Sequence, residues 1–168
     1  MPNIRPTMSV FLALCSLPVV ALQRATAQDT STPEERTQWV ETTHKLESSP
    51  LDETVNKQGE LALKRVSDVH DFHVPLCPAL LNEFNGMKYT YSHAITRQYM
   101  LASAAFLIEN PGKTSDLGAM NLSAVESVLK TYQAIVQNKP DAKVKALDNL
   151  VKKEDQGKLR DSIPKECR

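Results

Sequence analysis

The stretch "QYMLASAAFLIENPG", Gln98 to Gly112, decides the fold. From Tyr99 to Ile108 only Ser103 is polar, Arg97 and Glu109 bound the run, and Pro111-Gly112 ends it. Such a run could be a membrane span, the packed centre of a domain or the wall of a site. Length decides against the first. Ten helical residues rise only ~15 Å, half of the ~30 Å of hydrocarbon in a bilayer. A short helix that is apolar on every side belongs at the centre of a bundle, covered by its neighbours. Alanines 102, 104 and 105 let those neighbours approach closely. The run reads as core, inside a central helix extending over about residues 89–110.

Helix signals surround it, and no sustained period-2 alternation suggests a strand. In "STPEERTQWVETTHKL", Thr32 with Glu35 forms a capping box, Pro33 suits the first turn, and Trp39 and Leu46 mark a narrow apolar face. Ser49-Pro50 repeats the device. It predicts a second helix with Asp52 in its first turn and a stripe of Leu51, Val55, Ala62, Val66 and Val69, ended by Pro75 and Pro78. "PALLNEF" offers a further turn or two. After the linker "GKTSDLGAMN", Ser123 and Glu126 form a capping box for a fourth helix, with Val125, Val128, Leu129, Tyr132, Ile135 and Val136 on one face. Asp141 is expected to cap a fifth, with Val144, Ala146, Leu147, Leu150 and Val151 inward. Short connections favour antiparallel packing. The fold expected is an all-α, compact bundle of about five antiparallel helices.

The N-terminus reads as a leader. "MPNIRPT" carries Arg5 and no acid, an apolar run from Met8 to Leu22 follows, and Ala25-Thr26-Ala27 has the small-x-small form of a signal peptidase site. Cleavage is expected after Ala27. Residues 1–27 are then a signal peptide and 28–168 a single helical domain with no transmembrane span. Cys15 raises a lipid-anchored alternative, against which Leu14 stands where a lipid-attachment motif needs a small residue. Cleavage removes Arg5 and Arg24 and no acidic residue, leaving 18 basic against 20 acidic residues, a net of −2. A near-neutral, mixed surface gives nucleic acid no basic track. Export also leaves two cysteines, Cys77 and Cys167, and in an oxidising compartment such a pair is most simply a disulfide, with two free thiols the alternative.

Candidate chemistry is sparse. His70 and His73 in "DVHDFHVPLC" stand three apart at the expected end of the second helix, a spacing at which two imidazoles can share a divalent ion. Tyr89, His93 and Arg97 recur every four residues and could line up a phenol, an imidazole and a guanidinium to hold a small anion. "GKTS" at Gly112 lacks the glycine that a phosphate loop needs at the position of Leu107, and it follows a helix. No nucleophile-elbow or zinc-protease motif is present, and no cofactor or catalytic residue is nominated. "NLS" at Asn121 is a formal glycosylation acceptor, expected on an exposed linker.

"VLKTYQAIVQNKPDA" is similar to the second half of a tetratricopeptide repeat, with Tyr132 eight residues ahead of Pro140, but Val128 and Ile135 stand where that repeat wants small residues. "KYTYSHAITRQYMLASAAFLIENP", joined to this helix, resembles secreted, all-helical bacterial proteins of uncharacterised role over Tyr89 to Leu159. That resemblance implies a fold and an export route, and no activity. The role expected is non-catalytic: a secreted or periplasmic protein that binds another protein or supports the envelope. A metal- or small-anion-binding protein and an enzyme without a recognisable motif are the alternatives.

Overall fold

The computed structural model describes residues 30–168; the expected leader, with Cys15, lies outside the described residues. Six helices follow in order: α1 (Pro33–Ser48), α2 (Glu53–Asp68), α3 (Pro78–Asn85), α4 (Ser92–Glu109), α5 (Leu117–Asn138) and α6 (Lys145–Asp155). Short 3-10 turns close the chain at Leu159–Ser162 and Lys165–Cys167. No strand occurs among the described residues, and no helix among them is long and apolar enough to cross a membrane.

α4 is the hub of the fold. It packs against α5, α1, α3 and α2, and every residue from Leu101 to Leu107 is buried. Its faces supply all three core clusters. Ile95, Tyr99 and Ala102 join α3, α5, α6 and the C-terminal turns. Leu101 joins Trp39, Leu46, Ala62 and Val69 of the α1–α2 side. Phe106 and Leu107 meet Met120. The run is apolar all round because each face has a different neighbour to bury.

Local signals set several boundaries as expected. Thr32 and Glu35 form the capping box of α1, Thr32 Oγ1 accepting from the Glu35 N–H and the Thr32 N–H donating to Glu35. Four boundaries differ. α2 begins only at Glu53, because Asp52 is itself the cap and accepts from the Val55 N–H; Leu51 stays outside the helix and is exposed. α4 begins at Ser92, so Tyr89 lies in the turn ahead of it. α5 begins six residues ahead of Ser123, at Leu117, capped by Asp116 through the Ala119 N–H, so much of the expected linker is helix. Gly118, expected in the linker, lies inside the helix and packs close to the C-terminus, where an added Cβ would lie a tight 3.3 Å from the Arg168 Cα. α6 begins at Lys145 and not behind Asp141, whose segment forms a 3-10 turn. The Val144 N–H donates to Tyr132 Oη, fixing the start of that helix, and Ala146 faces outward.

The α1–α2 pair is antiparallel: Arg65 near the end of α2 donates to Glu35 at the start of α1. The pair closes onto α4 at Gly59, where an added Cβ would stand 2.8 Å from Leu46 Cδ1 and 3.2 Å from Arg97 Nε. Gly59→Val is expected to lower unfolding free energy by about 1–3 kcal/mol through overpacking, measured by urea denaturation. Gly59→Ala should cost less, because its better helix propensity offsets up to about 1 kcal/mol of the clash.

Candidate functional site

Three consecutive residues of α4 are buried, the polar Arg97 and Gln98 and the phenol-bearing Tyr99, and each reaches a different neighbour. Arg97 Nη1 donates to Glu60 Oε1 at 2.6 Å, and its Nη2 donates to Asn56 Oδ1, both on α2. Gln98 Nε2 donates to the Thr43 carbonyl of α1 at 3.1 Å and to Ser127 Oγ of α5 at 2.7 Å. Tyr99 Oη accepts from the Cys77 N–H at 3.0 Å and donates to Asn121 Oδ1 at 2.6 Å; Asn121 Nδ2 in turn donates to the Cys167 carbonyl at 2.9 Å. Cys77 and Cys167 form the expected disulfide, with Cα atoms 5.6 Å apart. Tyr99 and Asn121 therefore hold both halves of the crosslink. Burial pushes the Tyr99 phenol up, so it remains a donor.

This placement overturns the expectation that Asn121 sits on an exposed linker. It lies inside α5 at 1 % exposure, with both ends of its amide engaged.

The proposed anion row is not a row. Tyr89 precedes α4, and its half-buried ring packs on Tyr91 and Tyr132, with centroids 5.5 and 6.2 Å away. Arg97 faces α2 instead. His93 is exposed, with Nδ1 3.6 Å from Glu60 Oε1, so His93 and Arg97 meet on one carboxylate and Tyr89 stands apart. The expected placement of His70 and His73 on the end of α2 is likewise corrected: α2 stops at Asp68, and both lie exposed in the non-helical strap of residues 69–77. Cys77, which ends the same stretch of sequence, is held in the disulfide. No group of three or more His, Cys, Asp or Glu placed to hold a metal ion occurs among the described residues.

The strap creates the more developed feature, a cleft of about 600 Å³ between itself, the start of α1 and the end of α4. Phe72, Leu107 and Ile108 line it, with Pro33, Pro75 and Pro111 also on its walls. Its charged groups are matched internally. Arg36 Nη2 donates to Asp71 Oδ2 at 2.9 Å, and Arg36 Nε donates to Ser31 Oγ. The Ser31 N–H donates to Asp71 Oδ1. The Arg36 guanidinium also lies 5.0 Å over the Phe72 ring, which packs on Trp39 at 5.9 Å. His73 and Thr114 supply further polar groups. No local motif marks this cluster, whose members are joined across 35 and 40 positions.

A second polar crossing joins α1, α4 and α5. His44 Nε2 lies 3.1 Å from Glu109 Oε1, and its Nδ1 lies 3.6 Å from Glu47, which also accepts from Lys130. Glu126 lines the same small hollow. The hydrogen bond to Glu109 raises the His44 imidazole above its usual value; partial burial opposes and Glu47 reinforces.

Comparison with protein-family models, curated proteins and solved structures finds no match for this chain.

Tyr99→Phe keeps the ring but leaves the Cys77 N–H and Asn121 Oδ1 without their partner; each buried polar group so orphaned costs about 1–3 kcal/mol. Denaturation with the disulfide intact should show a loss of that order. Tyr99→Phe with Asn121→Ala should lose less than the sum of the two single losses, because both remove one shared network. For His44 the folded value lies above the unfolded value of 6.5, so its stabilisation is full below 6.5 and lost as pH rises through the raised value. The difference in Tm between wild type and His44→Asn should shrink over that interval, and a difference constant from pH 5 to 9 would contradict the pairing.

Proposed function

We propose that the protein is exported and acts as a non-catalytic binding protein, taking an apolar segment of a protein partner in the cleft beside the strap. The observation that carries this reading is the cleft itself, with Phe72, Leu107 and Ile108 lining it and an Arg36–Asp71 pair that satisfies its own charge. A charged ligand finds no unmatched counter-charge in that pair. An apolar side chain gains about 1.5–3 kcal/mol on full burial, and proline-stiffened walls reduce the ordering cost of receiving it. On Arg97, Glu60 and Asn56 take the two terminal nitrogens and the side chain is buried, so a small anion has no open fork to bind, which favours the cleft over the alternative anion site. The leader-like residues 1–27 and the Cys77–Cys167 crosslink support a secreted or periplasmic setting, in keeping with the resemblance to secreted bacterial helical proteins.

Site-specific photo-crosslinking in the native compartment tests this. A probe at Thr114, on the cleft, should trap a defined partner, and a probe at exposed Lys145 of α6 should not. Ile108→Glu, with helicity unchanged by circular dichroism, should abolish the Thr114 product. Equal trapping from both positions, or trapping insensitive to Ile108→Glu, refutes the cleft as the binding site.

A further inference from the structure

The acceptor triplet Asn121-Leu122-Ser123 and the disulfide share one buried group. Asn121 Nδ2 carries the hydrogen bond to the Cys167 carbonyl, at 2.9 Å, and Oδ1 receives the Tyr99 hydroxyl that also holds the Cys77 N–H. The side chain is 1 % exposed inside α5, leaving no path by which a sugar on Nδ2 could reach solvent. We infer that glycosylation of Asn121 and closure of Cys77–Cys167 exclude each other. The exclusion rests on this geometry alone and not on the export reading above.

The group transfer is simple to write. With a lipid-diphosphate oligosaccharide as donor, Asn121 Nδ2 bonds to the anomeric carbon, the glycosyl–phosphate bond breaks, Nδ2 loses a proton and the diphosphate carrier leaves. Closing the disulfide removes two electrons and two protons from the two thiols, passed to the thiol oxidant of the compartment. Chain synthesis gives the sugar the first opportunity. Asn121 precedes Cys167 by 46 residues and so enters the compartment ahead of it. Until Cys167 arrives, neither the crosslink nor the acceptor for Nδ2 exists. A glycan added in that interval meets a site that the C-terminal turn must later fill, so α5 cannot dock its buried face and the tail stays unjoined.

The test is cell-free synthesis of the full chain with rough microsomes and oxidised glutathione. Protease protection reads translocation, an endoglycosidase mobility shift reads the glycan, and mass-tagged alkylation reads free thiols. A second chain, with an established microsome-directing leader in place of residues 1–27, separates failure of export from failure of the exclusion. The expected result is two protected populations: glycosylated chains with Cys77 and Cys167 both alkylated, and unglycosylated chains with neither alkylated. Ser123→Ala, which removes the acceptor motif without touching the Tyr99–Asn121 pair, should give only the disulfide form. Cys167→Ser should raise the glycosylated fraction. A glycosylated chain carrying the Cys77–Cys167 bond overturns the inference, as does absence of glycan from both the leader-replaced chain and its Cys167→Ser variant.

Discussion

One turn of α4 sets the register of everything packed against it. Successive helical residues are about 100° apart around the axis, so Arg97, Gln98 and Tyr99 point at three different neighbours from almost one height. Apolar contact alone is non-directional and tolerates sliding. A buried hydrogen-bonding group does not, since an unmade bond costs about 1–3 kcal/mol. A shift of α2 against α4 would strand Arg97, a shift of α1 or α5 would strand Gln98, and a shift of the C-terminal tail would strand Asn121. Alanine-rich, close-packed surface on the same helix supplies attraction, and these three side chains select one arrangement of it.

The disulfide and the Tyr99–Asn121 pair divide the labour at the other end. The bond joins positions 90 residues apart, and restricting so long a loop in the unfolded chain stabilises by about 4–5 kcal/mol on the chain-entropy account. That contribution concerns the unfolded state and does not say how the joined segments sit on the core. The hydrogen bonds from the Cys77 N–H and to the Cys167 carbonyl do so, by fixing each cystine backbone to the same two helical side chains. Gly118 eases the seat, since a side chain there would press on the Arg168 backbone at 3.3 Å.

Sequence reading reached the features that depend on nearest neighbours and on total hydrophobicity. The capping box at Thr32, the central position of the 99–108 run, and the disulfide each follow from local chemistry or from a count of two cysteines. It misjudged features decided at a distance. Gly118 and Asn121 read as linker residues because glycine and asparagine favour turns; Asp116 caps a helix that includes both, and their burial comes from a tail 46 or more residues away. The Tyr89–His93–Arg97 spacing assumed a helix running through Tyr89, whereas Ser92 opens α4 and the Tyr89 ring turns to Tyr132. His70 and His73 lost their common face for the same reason, a helix ending earlier than the next proline required. The Arg36–Asp71–Phe72 cluster has no local signature at all.

That cluster matters because the strap has no helix of its own to keep it in shape. Its backbone is tied near the middle, where Asp71 takes the Ser31 N–H and the Arg36 guanidinium, and at its end, where Cys77 is crosslinked and bonded to Tyr99. Phe72 is clamped between Arg36 and Trp39, and Pro75 fixes φ between the two anchors. A segment held at these points loses little further freedom when something seats against it, so the ordering cost that weakens binding to loops is largely met on folding. The same ties couple the cleft to the core. Loss of Tyr99 or of the crosslink would free the Cys77 end of the strap, loosening the Pro75 wall while Phe72 stays in place. Binding strength at the cleft and stability of the buried cystine are then linked through one nine-residue segment, residues 69–77.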